Sequence, residues 1–364
     1  MKIIVLDDNS KVDKLSKFKE WDDIVDSFSE SDFYHKFAYL RACQIHGDGE
    51  PLLFYNEEDK FKILLACLKR DISNDDKFSL FLDKKSFFDL QTPYGYGGFL
   101  VENFDKNKIK KFFEKFYDYC KKKNIVSLFL RFNPLIQNQN LVKNFCKLIN
   151  LKQTVLLDTS SEEKIVTNMS RNHRNETRKL KKYGAKIFCD KGENLNEFLK
   201  IYEETMIKKN ASEYYFFKKE YFEYLIKNLK ENLRFFYCTF EDKIISSFLI
   251  FFDKNSAHYS LGGTRQDSIK LAPNKFLVYE IAMWLSNKGI KKFHLGGGIE
   301  KNDSLFFFKK KFNKNGLLDF YIGSIIFDKK KFDYLLNIRK LNDKKFDENN
   351  NFLIKYRYRA ETTK

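Results

Sequence analysis

The sequence predicts an α/β (α+β) chain of two domains, each a mixed, mostly antiparallel sheet flanked by helices. Three observations lead there. The 364 residues make about two domains at ~150 residues each. Helix-period and strand-period segments alternate from end to end. One order of elements (helix, antiparallel strands, helix, strand, helix, strand) is clear in the second half, and a weaker version of it runs through residues 33–157. The domains are expected at 1–157 and 158–328, with 329–364 a C-terminal helix and strand docking back on the first domain.

Taken in order, Met1–Asp8 reads as a first strand, too short and too soon acidic for a signal peptide. Asp32–His46 has helical spacing and Gly47 stops it. Pro51–Tyr55 and Phe61–Lys69 are strands joined by the polar turn Asn56–Lys60. A Gly-rich loop, Pro93-Tyr94-Gly95-Tyr96-Gly97-Gly98, follows. Asp105 caps a helix whose apolar stripe is Ile109, Phe112, Phe113, Phe116 and Cys120. Then come a strand at Ile125–Phe132, a helix at Gln139–Ile149 and a strand at Gln153–Leu157.

The second half opens with Ser160 and Glu163 as a capping box. A basic helix runs from Ser170 to Gly184, and Lys186–Cys189 is a strand. Helices at Leu195–Lys209 and Lys218–Asn228 precede three strands, Leu233–Phe240, Ile244–Phe252 and Ala257–Leu261, whose tight connections predict a meander. Pro273 opens a helix over Asn274–Asn287. Lys291–Leu295 is a strand, Asp303–Phe312 a helix and Leu318–Phe327 a strand. A Lys-rich helix at 329–341 and a strand-like Phe352–Arg359 end the chain.

Hydrophobic residues at 43 % exclude wholesale disorder. The six cysteines lie more than twenty residues apart without C-x-x-C, and the five histidines lack H-E-x-x-H, so no metal or disulfide framework is implied. The longest apolar run, Ile244–Phe252, is far short of a bilayer span. The net charge of +17 invites a nucleic-acid reading, although an AT-rich codon bias alone produces surplus Lys. Seven Lys or Arg between Arg171 and Lys186 face one acid, Glu176. Arg171, Arg174 and Arg178 fall at i, i+3 and i+7 on one helical face, a row suited to phosphate because guanidinium binds it bidentately.

Four segments carry a likeness to a known family: Thr92–Gly98; Ser170–Lys179 with Tyr183-Gly184-Ala185; His258–Thr264 with Pro273-Asn274; and His294–Gly298 with Asp303-Ser304-Leu305 and Phe308–Phe312. In that order and spacing they resemble the FemAB-like branch of the GNAT acyltransferase superfamily, which includes the peptidoglycan bridge aminoacyltransferases. The resemblance implies two tandem GNAT-like domains. It implies transfer of an acyl or aminoacyl group from acyl-CoA or aminoacyl-tRNA to an amine on a cell-envelope glycan or peptidoglycan precursor, by direct attack with no acyl-enzyme and no tightly bound cofactor. Partners would be a phosphate-bearing nucleotide-linked or lipid-linked precursor and, with that donor, tRNA. From the start of the sequence and its lack of a spanning run a cytoplasmic protein is expected, with peripheral contact of a basic face to anionic lipid at the inner face of the membrane as a further partner.

By the same resemblance Lys309, with Phe308, binds the donor and stabilises the negative charge on its carbonyl oxygen. Tyr94, Tyr96 and Gly97 line the acceptor cleft. Arg171, Arg174 and Arg178 meet diphosphate, and Tyr259, Asn274 and Gly297 complete the substrate contacts. His258, His294, Glu300 and Asp303 are near the motifs, but none stands out as a general base. The superfamily's usual acetyl-CoA signature is missing where Gly296-Gly297-Gly298 stands, which leaves the donor open. A non-catalytic RNA- or anionic-surface-binding protein is the alternative reading; it explains the charge and leaves the Pro93–Gly98 loop and the Phe308-Lys309 pair unexplained.

Overall fold

A computed structural model describes residues 1–5 and 14–359. In chain order the first elements are strand β1 (Lys2–Val5), helices α1 (Lys14–Asp26) and α2 (Phe37–His46), and strands β2 (Glu50–Glu58), β3 (Phe61–Asp71), β4 (Phe88–Gln91) and β5 (Phe99–Glu102). Helix α3 (Lys106–Lys122), strand β6 (Ile125–Arg131), helix α4 (Gln139–Val142) and strand β7 (Lys147–Asp158) follow. Next are α5 (Glu162–Asn168), α6 (Arg171–Lys182), β8 (Lys186–Asp190), α7 (Leu195–Lys208) and α8 (Lys219–Leu229). The last are β9 (Leu233–Phe240), β10 (Lys243–Phe252), β11 (Ser256–Thr264), α9 (Pro273–Asn287), β12 (Lys292–Gly296), α10 (Ser304–Lys310), β13 (Leu317–Ile326) and α11 (Lys329–Asn342).

The chain divides into two compact units, Met1–Asn150 with Tyr321–Lys364, and Leu151–Phe320. The divisions fall inside β7 and β13. In the first unit the strand order is β1-β2-β3-β4-β6-β13, with β5 also on β3. All pairs are antiparallel except β4 with β6. The stripe Ile109, Phe112, Phe113, Phe116 and Cys120 of α3 is buried against this sheet, as a helical repeat of apolar positions requires. The C-terminal segment belongs to the same unit. Phe332, Leu335, Ile338, Ile354 and Tyr356 share a small core with Ile72, Phe78 and Val126.

In the second unit the order is β7-β12-β11-β10-β9-β8. The meander β9-β10-β11 is antiparallel as its short turns predict, and β11 with β12 is the parallel pair. Helix α9 packs its buried face (Leu277, Ile281, Ala282, Leu285) into the core of this sheet.

Several local expectations are corrected. The helix expected over Gln139–Ile149 stops at Val142, and β7 begins at Lys147. Leu141, Val142, Phe145, Leu148 and Ile149 fit a helical stripe, but a run this short fits a strand as well. Phe145 stacks on Phe113 at 4.2 Å and turns the chain there. Asp32–His46 is broken at Lys36: Asp32 caps a 3₁₀ turn, Phe33–His35, through the Tyr34 N–H, and α2 starts afresh. Phe352–Arg359 is no strand but a 3₁₀ turn, Lys355–Arg357, held by Tyr356 Oη and Arg357 Nε donating to the buried Asp89 carboxylate. Strands β4 and β5, which flank the Gly-rich loop, escaped the sequence reading.

The N-cap also moves by one residue, and with Lys164 three residues on it is a simple cap and no capping box. Ser161, not Ser160, caps α5, its Oγ accepting from the Lys164 N–H at 3.2 Å. Ser160 Oγ donates to Asp158 instead. Ser161→Ala is therefore expected to cost about 1 kcal/mol in urea unfolding, the usual value of a lost N-cap. Ser160→Ala is expected to cost clearly less; equal losses would refute this assignment of the cap.

Candidate functional site

The second unit has one place where its sheet parts. Strands β11 and β12 pair only over Ser256–His258 with Lys292–His294, while β11 runs on to Thr264 and β12 to Gly296. The far sides are irregular as well: β11 slips against β10 between Tyr259 and Leu261, and β12 slips against β7 between His294 and Gly296. Parallel strands that separate no longer satisfy each other's backbone N–H and C=O groups, and an extended ligand carrying amides can lie between such strands.

The loop after β12 closes the end of this gap, and its glycines are there for space. A Cβ on Gly297 would come within 2.8 Å of the Gln153 carbonyl, and one on Gly298 within 1.9 Å of Asp303 Oδ1. Asp303 caps α10, accepting from the Phe306 N–H at 2.7 Å, and also accepts from the Ile299 and Glu300 N–H groups. Burial pushes this carboxyl up, but those three donors and the Lys152 cation outweigh it and hold it below the usual range. Asp303 is thus a loop anchor and a poor proton acceptor. Lys152 Nζ donates to the Gly298 and Ile299 carbonyls at 2.6 and 2.8 Å. The sequence reading missed Lys152; a lone Lys in a polar stretch carries no signal of such a role.

Lys309 lies on the inner face of α10 and is only 7 % exposed. Its Nζ donates to the Gly297 carbonyl at 2.7 Å and sits 5.3 Å from the centre of the Tyr259 ring. Burial, with the nearby Lys152 cation and against the pull of Asp303, pushes its amine down to about 7. A lysine so placed changes charge near neutral pH. The run Lys309-Lys310-Lys311 looks like a solvated face in the sequence, yet Lys311 is exposed while Lys309 is buried.

Phe308 is half-buried and fixes α10 from the other side. Its ring meets His173 at 5.4 Å and Phe312 at 5.4 Å. His173 is buried, shares a 3.0 Å hydrogen bond with Ser170 Oγ, and is pulled down to about 4 by burial and by Lys275 and Lys311. It is a neutral packing partner. His258 and His294 are buried with rings 5.3 Å apart, at the last paired residues of β11 and β12. Burial, then His258 and Lys309, drive His294 well below its ordinary value, so it too is neutral. Glu300 is exposed.

Tyr259 and Gly297 therefore come together with Lys309. Asn274 does not touch this trio: its Oδ1 accepts from Ser246 Oγ at 2.9 Å and from Thr264 Oγ1 at 2.5 Å. It ties the start of α9 to the end of β11. On α6, capped by Ser170, Arg171 and Arg178 are exposed. Arg174 instead donates to the Met169 and Val166 carbonyls, closing the C-terminal end of α5. The row of three arginines is thus two exposed cations and one tied guanidinium.

Tyr94, Tyr96 and Gly97 lie in the first unit. The Tyr94 carbonyl accepts from Tyr39 Oη at 2.8 Å. The Tyr96 ring stands edge-on to Tyr34 at 5.5 Å, and burial raises its hydroxyl above the ordinary tyrosine value. Gly97 N–H donates to the Arg131 carbonyl at 2.8 Å, and its own carbonyl accepts from Asn138 Nδ2 at 2.9 Å. The Tyr34 ring lies where a Cβ on Gly95 would be, 2.4 Å away, and Gly95 has φ +91°. The loop is a fixed, glycine-dependent turn.

Comparisons with known proteins bear on this arrangement. A family model described as an acetyltransferase (GNAT) domain matches residues 167–309, a span that begins before α6 and ends on Lys309. No curated protein sequence matches the chain. Among solved structures, FemX is similar in fold with a TM-score of 0.66 at 12 % identity, over 92 % of this chain and 99 % of that one. L-PGS from Bacillus licheniformis gives 0.56 at 13 %, over 88 % and 96 %. A tandem GNAT protein from the clavulanic acid biosynthesis pathway gives 0.50 at 6 %, over 90 % and 98 %. At such identities the likeness is one of fold.

Proposed function

We propose, for a chain with a GNAT acetyltransferase domain set in the two-domain fold of the FemAB-like branch, that it transfers an acyl or aminoacyl group to an amine. The donor is acyl-CoA or aminoacyl-tRNA, and the acceptor amine belongs to a phosphate-bearing cell-envelope glycan or peptidoglycan precursor. The observation that carries this reading is Lys309, a buried amine against the Gly297 carbonyl and the Tyr259 ring where β11 and β12 part.

The amine nitrogen attacks the carbonyl carbon of the donor's ester or thioester. The carbonyl π pair moves onto oxygen, then returns as the C–O or C–S bond breaks. The leaving oxygen or sulfur departs with the electron pair and takes up a proton, the net equivalent of the one the attacking nitrogen loses, so that amide and free hydroxyl or thiol result. In its ammonium form Lys309 lowers the energy of the transient oxyanion, because a cation already desolvated and held in place needs no reorganisation. The strand ends beyond His258 and His294, which do not pair with each other, suit the extended, amide-bearing arm of acyl-CoA. The exposed Arg171 and Arg178 suit a phosphate group of acceptor or donor.

The test is to offer the protein acetyl-CoA and longer acyl-CoAs, and separately a mixture of charged tRNAs, each with amino-sugar nucleotide and peptide acceptors. Amide product is read by mass spectrometry. Acceptor-dependent consumption of one donor class is the expected result. Consumption of neither would overturn the reading and favour a binding protein on the same fold.

A further inference from the structure

We propose that the end of the second unit where β11 and β12 part is a docking face for an anionic lipid bilayer. Because the two strands are parallel, the segments that leave their carboxyl ends emerge on the same side. After β12 these are the Gly297–Asp303 loop and α10. After β11 it is the 3₁₀ turn Gln266–Leu271. The end of α7 joins them, since the Gln266 N–H donates to Glu204 at 2.7 Å and the Thr264 N–H to Thr205 Oγ1 at 3.2 Å.

Among their exposed side chains, polar as on most surfaces, stand several large apolar ones. Ile299 is 74 % exposed and Ile207 61 %, with Phe307, Ile269 and Leu305 also exposed. On α10 the inward positions are Phe306 and Lys309, so a short helix is apolar on its outer face and holds a lysine inside. Exposed apolar side chains gathered at one end of a unit mark a contact surface.

The charges around them say which kind. Lys208, Lys209, Lys270, Lys301, Lys311 and Lys314 are exposed at the same end, against exposed Glu203, Asp267 and Glu300 and the half-buried Glu204. Apolar tips ringed by lysines fit an interface of acyl chains under anionic headgroups. Among the described residues no helix is long and apolar enough to cross a membrane, so the contact would be peripheral. The inference goes beyond the proposed reaction: it places the gap at the lipid surface, where a lipid-linked acceptor would be presented.

Vesicle flotation of the full chain, with no donor or acceptor present, tests it independently of the transferase reading. Binding is expected to vesicles of phosphatidylcholine with about 30 % phosphatidylglycerol, and to weaken at high salt. Ile299→Asp with Phe307→Asp is expected to cut that binding about tenfold or more, and Ile269→Asp with Lys270→Glu likewise. These side chains are exposed, so circular dichroism should show both variants folded. Failure of the wild type to float, equal binding by either variant, or a stable dimer in sedimentation that Ile299→Asp abolishes would overturn the proposal, the last in favour of a second copy as occupant.

Discussion

Replacing Lys309 with Met is expected to lower the rate of acyl transfer about 10²–10³-fold, the usual effect of removing one preorganised donor to an oxyanion. The loss should appear in kcat more than in KM, because the charge that Lys309 meets exists only in the transition state. Its pH dependence has a definite sign. Only the ammonium form stabilises the oxyanion, and burial holds that amine at about 7. The Lys309-dependent part of the rate should therefore fall as pH rises through neutrality, and the fall should be absent in Lys309→Met.

Stability should move the other way, which separates a catalytic lysine from a structural one. The folded value of about 7 lies below the ordinary lysine value, so the native state binds fewer protons than the unfolded chain. The cost of burying this amine is full below pH 7 and disappears as pH rises toward the unfolded value near 10.4. Lys309→Met removes that cost and fills the space with a side chain of similar length. At pH 6 it should melt no lower than wild type, with the difference narrowing in base. A variant as active as wild type would sink the assignment of Lys309. A variant that melts well below it would point to a structural lysine.

Asp89→Ala is the change expected to cost most stability. Asp89 is fully buried at the end of β3's pairing with β4. Its carboxylate accepts from Arg70 Nε at 3.0 Å, Arg357 Nε at 2.8 Å and Tyr356 Oη at 3.0 Å. Tyr356 Oη also shares a 2.7 Å hydrogen bond with Ser127 Oγ, and Arg357 reaches Gln91 Oε1 at 3.0 Å. Removing the one anion leaves two guanidinium groups and a phenol without their acceptor, a loss of about 3–5 kcal/mol for a buried pair broken on one side. Urea unfolding should show it, and proteolysis should release the C-terminal tail first.

The same network is acid-sensitive. Burial alone would raise the Asp89 carboxyl, but Arg357 and Arg70 outweigh it and hold it below its ordinary value. Its contribution is present above the unfolded carboxyl value near 4 and is lost as pH falls through the lower folded value. Asp89→Asn, which keeps the shape and loses the charge, should flatten the acid limb of the stability profile. If the tail stays protected in Asp89→Ala, the network is not what holds it.

Long periodic segments were legible in the sequence because burial repeats on one face. The stripe of α3, the meander β9-β10-β11 and the helix opened by Pro273 all stand where periodicity and turn residues put them. Short segments were not. The apolar positions of 139–149 serve a helix or a strand equally, and Phe352–Arg359 looks extended until Tyr356 and Arg357 find Asp89, some 267 residues away in sequence. Ser160 and Ser161 are equivalent as capping acceptors on paper; only the backbone shows which one faces the Lys164 N–H.

The candidate site divides in the same way. That glycines, an aspartate at a helix start and a Phe-Lys pair follow the end of one strand is legible in the sequence, because turns and helix starts depend on neighbours close in the chain. Which lysine of Lys309-Lys310-Lys311 is desolvated, that Asn274 and Arg174 are held by particular partners, and that Lys152 props the Gly298–Ile299 backbone follow only from the folded chain. Apart from Arg174, whose acceptors lie just before its own helix, these depend on what a more distant part of the chain brings against the side chain. Burial and long-range hydrogen bonds set a lysine's charge, and neither is a property of the residues beside it in the chain.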